Sequence, residues 1–374
     1  MLVAGGGVAA LEAMVALRKL AGDLVDVELL SPDADFFYRP LSVAEPFGLG
    51  TVLRFDLASL AHGCGARHST GALAGVDAEA HRARTSRNVS FGYDALLIAV
   101  GARPREALPG ALTFRGEADV RLVKGLLDDL DRGVVRRVAF ALPGGVTWPL
   151  PLYELALLTA EHLQDRPGVE LTLVTPEDAP LGLLGHEASD AVTARLREHG
   201  IALVTGAYPG AFADGELRLV PGSPVAADVV VALPRLRGVP LAGVPQDDEY
   251  FVHVDSLCRV PGPDGVYAAG DATTFPVKQG GLAAQQADAA AETIAAAAGA
   301  DVTPKPFDPV LRGLVLGSSP LFLRSELGGG RGARSQAAAE PLWWPAGKIA
   351  ARYLSPYLAE HAGLAYGPAP GSLL

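Results

Sequence analysis

With 374 residues, 49% of them hydrophobic and 20% charged, the chain is long enough for two or three domains and too apolar to be disordered. Its net charge is −11, and Lys and Arg are scattered rather than gathered into a stripe, which excludes a phosphate-neutralising nucleic-acid surface. The apolar N-terminus lacks a basic leader and is interrupted by Glu12, Arg18 and Lys19, and no later run reaches the roughly 18 apolar residues of a membrane helix, so a cytoplasmic location is expected.

The first elements read as strand, glycine turn, helix and strand. Met1–Ala4 is a short apolar run, followed by Gly5-Gly6-Gly7-Val8-Ala9-Ala10, a helical stretch over Leu11–Leu20 and a second apolar strand over Val25–Leu30. That is Gly-x-Gly-x-x-Ala in the context of a dinucleotide-binding unit. Gly5 permits the tight turn, Gly7 lets backbone approach a pyrophosphate, and Ala10 keeps the helix close to the sheet. The free N–H groups opening the helix face the phosphates. The acidic residue expected after the second strand is missing. Ser31 stands there and can bond a ribose through Oγ, with Asp33 as the alternative ligand. In Tyr38-Arg39-Pro40, Arg39 pairs either with a pyrophosphate or with Glu45. Ala95–Val100 is a buried strand broken at Gly101, where backbone can again approach a ligand.

A second strand–loop–helix unit follows. Arg137–Leu142 is its strand and the helix opens at Tyr153-Glu154-Leu155-Ala156, with further units at Val169–Thr175 and Ala188–His199. The connecting loop contains Pro143, Pro149 and Pro151, which supply no N–H, and Leu152 stands at the last glycine position. The domain fold survives in this reading, whereas NAD(P)H binding in the usual pose is doubtful.

Gly265-Val266-Tyr267-Ala268-Ala269-Gly270-Asp271 is another strand ending in Gly-Asp, followed by Lys278-Gln279-Gly280-Gly281 and an Ala-rich helix from about Leu282. Taken with Tyr93–Pro104, these motifs resemble the FAD-contacting segments of the pyridine nucleotide-disulfide oxidoreductase superfamily, which includes glutathione reductase, type II NADH dehydrogenase and sulfide:quinone oxidoreductase. The resemblance implies an α/β fold of two Rossmann-like domains. The FAD domain would comprise residues 1–107 and 237–303, interrupted by an NAD-like domain at 108–236, with a C-terminal α+β segment at 304–374. It further implies that Asp271 holds the FAD ribityl chain and that Gly280, Gly281 and Leu282 lie beside the flavin. Leu73, Arg103 and Gly270 join the expected cofactor contacts. Lys278, just before the Gly280 turn, is the candidate catalytic residue, through a flavin nitrogen or oxygen or a substrate carbonyl.

Only Cys64 and Cys258 are present, 194 positions apart (258 − 64), with no Cys-x4-Cys pair and no metal-ligand spacing. Dithiol chemistry, and sulfide oxidation of the usual kind, are therefore not expected. Toward the C-terminus come a strand-like Leu311–Leu316, a glycine-rich loop over Gly328–Gly332, the pair Trp343-Trp344 and an amphipathic helix over about Lys348–His361. In the quinone-reducing branches this region builds a quinone pocket and a membrane-surface foot. Packing on the flavin domain or on a second copy is the preferred alternative. The sequence thus reads as an FAD-dependent oxidoreductase acting on a quinone or other small molecule. An NAD(P)H-dependent reductase and a flavin-bearing scaffold without turnover are the alternatives.

Overall fold

The computed structural model describes residues 1–164, 166, 168–327 and 334–362. Its first sheet has five strands in the order Val266–Ala268, Leu96–Ile98, Leu2–Ala4, Glu28–Ser31, Arg67–Thr70, every pair parallel. Three of these strands, Leu2–Ala4, Leu96–Ile98 and Val266–Ala268, are buried along their whole length. That explains why they read as continuous apolar runs rather than alternating ones. The helices Val8–Ala21 and Gly280–Ala297 pack side by side against this sheet. Small side chains permit the approach: a Cβ at Gly270 would sit 3.1 Å from Ala9 Cβ and 3.2 Å from Ala283 Cβ.

The second sheet is also parallel and five-stranded, in the order Leu112–Thr113, Val229–Ala232, Arg137–Ala141, Glu170–Val174, Ala202–Val204. The helix Leu150–His162 is apolar around most of its circumference. Accordingly it is buried, between this sheet and an antiparallel sheet of Val310–Val315, Leu321–Glu326 and Ser335–Ala338. Two parallel, helix-flanked sheets are the expected α/β architecture with two Rossmann-like units. The expected strand at 311–316 lies at Val310–Val315, and the glycine-rich loop lies outside the described residues. Among the described residues, no helix is long and apolar enough to cross a membrane.

The C-terminal helix is shorter than its periodicity suggests, spanning Leu354–His361 instead of starting near Lys348. Side chains elsewhere claim the backbone donors that a helix start would leave free. Tyr38 Oη accepts from Ile349 N at 2.9 Å, Ser355 Oγ from Ala351 N at 3.1 Å, and Glu12 from Tyr353 N at 2.9 Å. Glu12 also accepts from Leu354 N, and Tyr357 Oη donates to Leu60 O. The segment is thereby fastened to the first sheet's layer and contributes Lys348 and Ile349 to the cavities described next.

Candidate functional site

A cavity of about 420 Å³ lies at the carboxyl ends of the first sheet's strands, where open α/β sheets bind ligands. Gly5 has φ +142°, and a Cβ there would overlap Ala99 O, so only glycine makes this turn. At Gly7 and Gly101 an added Cβ would meet nothing within 4 Å; both face open cavity. Ser31 is buried under the turn, its Oγ 2.5 Å from where a Gly6 Cβ would stand and accepting from Asp33 N at 3.2 Å. Val8, Ala9, Leu73, Arg103, Gly270, Asp271 and Gly280 also border the cavity. Ala10, Gly281 and Leu282 do not: Ala10 is sealed against the sheet, and the other two are buried behind Gly280. Leu282 N is already bonded, to Gln279 Oε1 at 2.9 Å, so one donor of that helix end is taken by its own cap. Arg39 borders the cavity, whereas Glu45 accepts from Val52 N instead. Burial pushes the Asp271 carboxyl up, opposed by Lys278 and Arg39.

A second cavity, of about 280 Å³, shares Arg39, Asp271, Gly280 and Ile349 with the first, so the two adjoin. Its walls are apolar at Phe114, Trp148, Leu150 and Leu314. In the same wall Lys348 Nζ donates to Glu154 Oε1, which also accepts from Leu316 N at 3.0 Å. The two side chains are only 6% and 1% exposed. Burial pushes Glu154 up and Lys348 down, each opposed by the partner's charge. A proton held between them is therefore bound less firmly by Lys348, and more firmly by Glu154, than in water. Neither was singled out as a site residue in the sequence. The available signal is that Glu154 is the lone acid in the apolar run Leu150–Leu158, and such an acid needs a partner.

Lys278 borders this second cavity, with its ammonium donating to Thr273 O and lying 4.0 Å from the Phe251 ring centroid. Desolvation lowers its pKa to about 8, against the pull of Asp271 and Asp247. The folded state therefore binds this proton less tightly than the unfolded chain does. The sign follows: the destabilisation is full below pH 8 and is relieved as pH rises toward the ordinary lysine value of 10.5. The stability of the wild type relative to Lys278→Met is accordingly expected to rise by about 1–3 kcal/mol between neutral pH and pH ~10. Urea unfolding of both proteins across that range measures it, and a flat difference would contradict the assignment.

Cys64 and Cys258 are buried and border neither cavity; burial pushes Cys258 up to about 12. A third cavity, of about 580 Å³, lies beside the Pro143–Pro149 loop. No Lys or Arg among the described residues lines it. Glu177 on its wall is occupied by Tyr153 Oη at 2.6 Å and Thr175 Oγ1 at 3.0 Å, and Gly144 O accepts from Arg235 Nε at 2.6 Å. Pro143 and Pro149 offer a dinucleotide's phosphates no N–H on this wall, and no lysine or arginine among the described residues lines it.

The pyridine nucleotide-disulphide oxidoreductase family model matches residues 1–293. An NADH dehydrogenase-like protein of Mycobacterium tuberculosis is 28% identical over 232 residues, which cover 58% of this chain and 58% of that protein's length. The sulfide:quinone oxidoreductase of Aquifex aeolicus superposes with a TM-score of 0.79 at 18% identity, covering 90% of this chain and 86% of that one. The NDH2 of Plasmodium falciparum, solved with NADH, gives 0.59 at 17% identity over 73% and 64% of the two chains. This chain belongs to the pyridine nucleotide-disulphide oxidoreductase family.

Proposed function

We propose that this FAD-dependent oxidoreductase passes electrons between a donor other than NAD(P)H and a quinone or similar small acceptor, without a redox-active cysteine pair. The observation that carries the reading is the junction of a glycine-lined trough with an apolar cavity whose wall holds the buried Glu154–Lys348 pair. In this reading Gly5, Gly7, Gly101, Ser31, Arg39 and Asp271 hold FAD. The open space beside Gly7 and Gly101 and the half-buried carboxylate of Asp271 suit a pyrophosphate and a polyol chain. When bound, FAD supplies two-electron or one-electron transfer.

Reduction of a quinone to a quinol needs two protons as well as two electrons. Glu154 and Lys348 would keep one proton at the cavity wall, while Trp148, Leu150 and Leu314 exclude water from it. The Pro-rich loop, and the lack among the described residues of a lysine or arginine lining the third cavity, argue against nicotinamide reduction. The size of that cavity favours the second reading, an NAD(P)H-dependent reductase.

An anaerobic titration of the purified yellow protein with NADH and then NADPH separates the two. The expected result is an unchanged flavin spectrum, followed by reoxidation of the dithionite-reduced protein on addition of a naphthoquinone. Bleaching near one equivalent of either nucleotide would establish the second reading. Reduced flavin that no quinone reoxidises would remove the acceptor assignment.

A further inference from the structure

Arg312 lies within the strand Val310–Val315 and borders the second cavity. Its Nε is buried without a hydrogen-bond partner, and among the described residues its guanidinium enters no ion pair. Directly across the hairpin stands another cation, Arg324, whose own guanidinium is engaged by Glu326 at 3.3 Å and Gln336 at 3.2 Å. Two guanidiniums in cross-strand register repel each other, and half-burying one without a counter-charge costs further stability.

Three other cations around the cavity are committed. Lys348 is bound by Glu154, Lys278 by Thr273 O and the Phe251 ring, and Arg115 by Asp119 at 3.0 Å. Arg39 stands at the junction with the trough, where its charge acts on Asp271. Among the described residues Arg39 and Arg312 are the cavity-lining guanidiniums without an ion pair, and with Arg39 assigned to FAD it is Arg312 that remains for whatever enters beside Trp148 and Leu314.

We infer that the small molecule admitted to this cavity is an organic anion with an apolar body, its carboxylate or ionised ring oxygen paired with Arg312. The inference rests on reading the cavity as the acceptor site, and it narrows that acceptor from any quinone to one carrying negative charge. A flat hydrocarbon body matches the Trp148, Phe114 and Leu150 walls, and the anion supplies the counter-charge that Arg312 lacks.

The test uses a redox-inert pair, naphthoate and naphthalenemethanol, binding to the FAD-loaded protein at neutral pH, read by the flavin difference spectrum and by calorimetry. The anion is expected to bind roughly tenfold or more tightly than the alcohol. Arg312→Gln is expected to bring the ratio close to one without weakening the alcohol, and Arg312→Lys to retain part of the preference. An unchanged flavin absorbance shows that each variant keeps its fold. The inference falls if the wild type binds both compounds alike, if naphthoate does not bind at millimolar concentration, or if the preference survives Arg312→Gln. The wild-type comparison alone decides the matter should the variants not fold. Since neither probe accepts electrons, lost anion preference alongside intact quinone reoxidation removes this inference and leaves the acceptor assignment standing. An intact anion preference alongside lost reoxidation removes the acceptor assignment and leaves only anion binding at Arg312.

Discussion

Glu154→Gln is expected to destabilise the FAD-loaded protein by about 3–5 kcal/mol, because it strands the Lys348 ammonium in a site from which water is excluded. The substitution conserves shape, so the loss comes from charge and not from a cavity. Part of it is recoverable: burial already lowers the Lys348 pKa, and releasing that proton relieves the unpaired charge. The deficit should therefore shrink as pH rises. Removing both charges in Glu154→Gln with Lys348→Met should restore most of the stability, since two apolar or neutral groups need no mutual compensation. Urea midpoints of the three proteins provide the measurement. A single variant within about 1 kcal/mol of wild type would mean the pair is effectively solvated. If the pair also keeps a proton for the acceptor, the double variant should lose kcat for quinone reduction with KM little altered.

A second large effect separates two glycines that a motif treats alike. Gly7→Asp is expected to give a folded but colourless protein. Gly7 is the N-cap of the first helix, with φ −95° and open space around its Cβ position, and Asp is a favoured N-cap residue. The added carboxylate would nevertheless stand where a pyrophosphate belongs. Juxtaposed like charges cost several kcal/mol, so FAD should bind roughly a hundredfold or more weakly. Gly5→Ala should instead fail to fold, since its Cβ would overlap Ala99 O. Flavin content and circular dichroism of the two variants check the contrast. A yellow Gly7→Asp protein would remove Gly7 from the cofactor site.

These two glycines also show how far the sequence could be read. The turn over Gly5–Ala10 and the breaks at Gly101 and Gly270 carry local backbone demands, so the trough was legible from residues a few positions apart. The C-terminal helix was not. Ile349, Tyr353, Leu354 and Leu358 keep a helical period, yet the N–H groups of Ile349 and Tyr353 bond to Tyr38 and Glu12, 311 and 341 positions upstream. Long-range side-chain acceptors outweighed local periodicity there. The same holds for the partner of Glu154, which lies 194 positions away on Lys348. An acid in an apolar helix announces that it needs a partner but not where the partner is. Arg312 gave no local sign at all, because its significance lies in what is missing around it.

The fastening of the Ile349–Leu354 segment to Glu12 and Tyr38 has a consequence for biosynthesis. As the polypeptide leaves the ribosome, Leu96–Ile98 presents a bare sheet edge until Val266–Ala268 emerges to pair with it. Glu12, fully buried in the finished protein, has no backbone donors to receive it until Tyr353 and Leu354 are made. The N-terminal unit therefore waits, incomplete and prone to association, while the 341 positions from Glu12 to Tyr353 are translated. Early capture of FAD by the glycine turn, or shelter by a chaperone, would shorten that exposure.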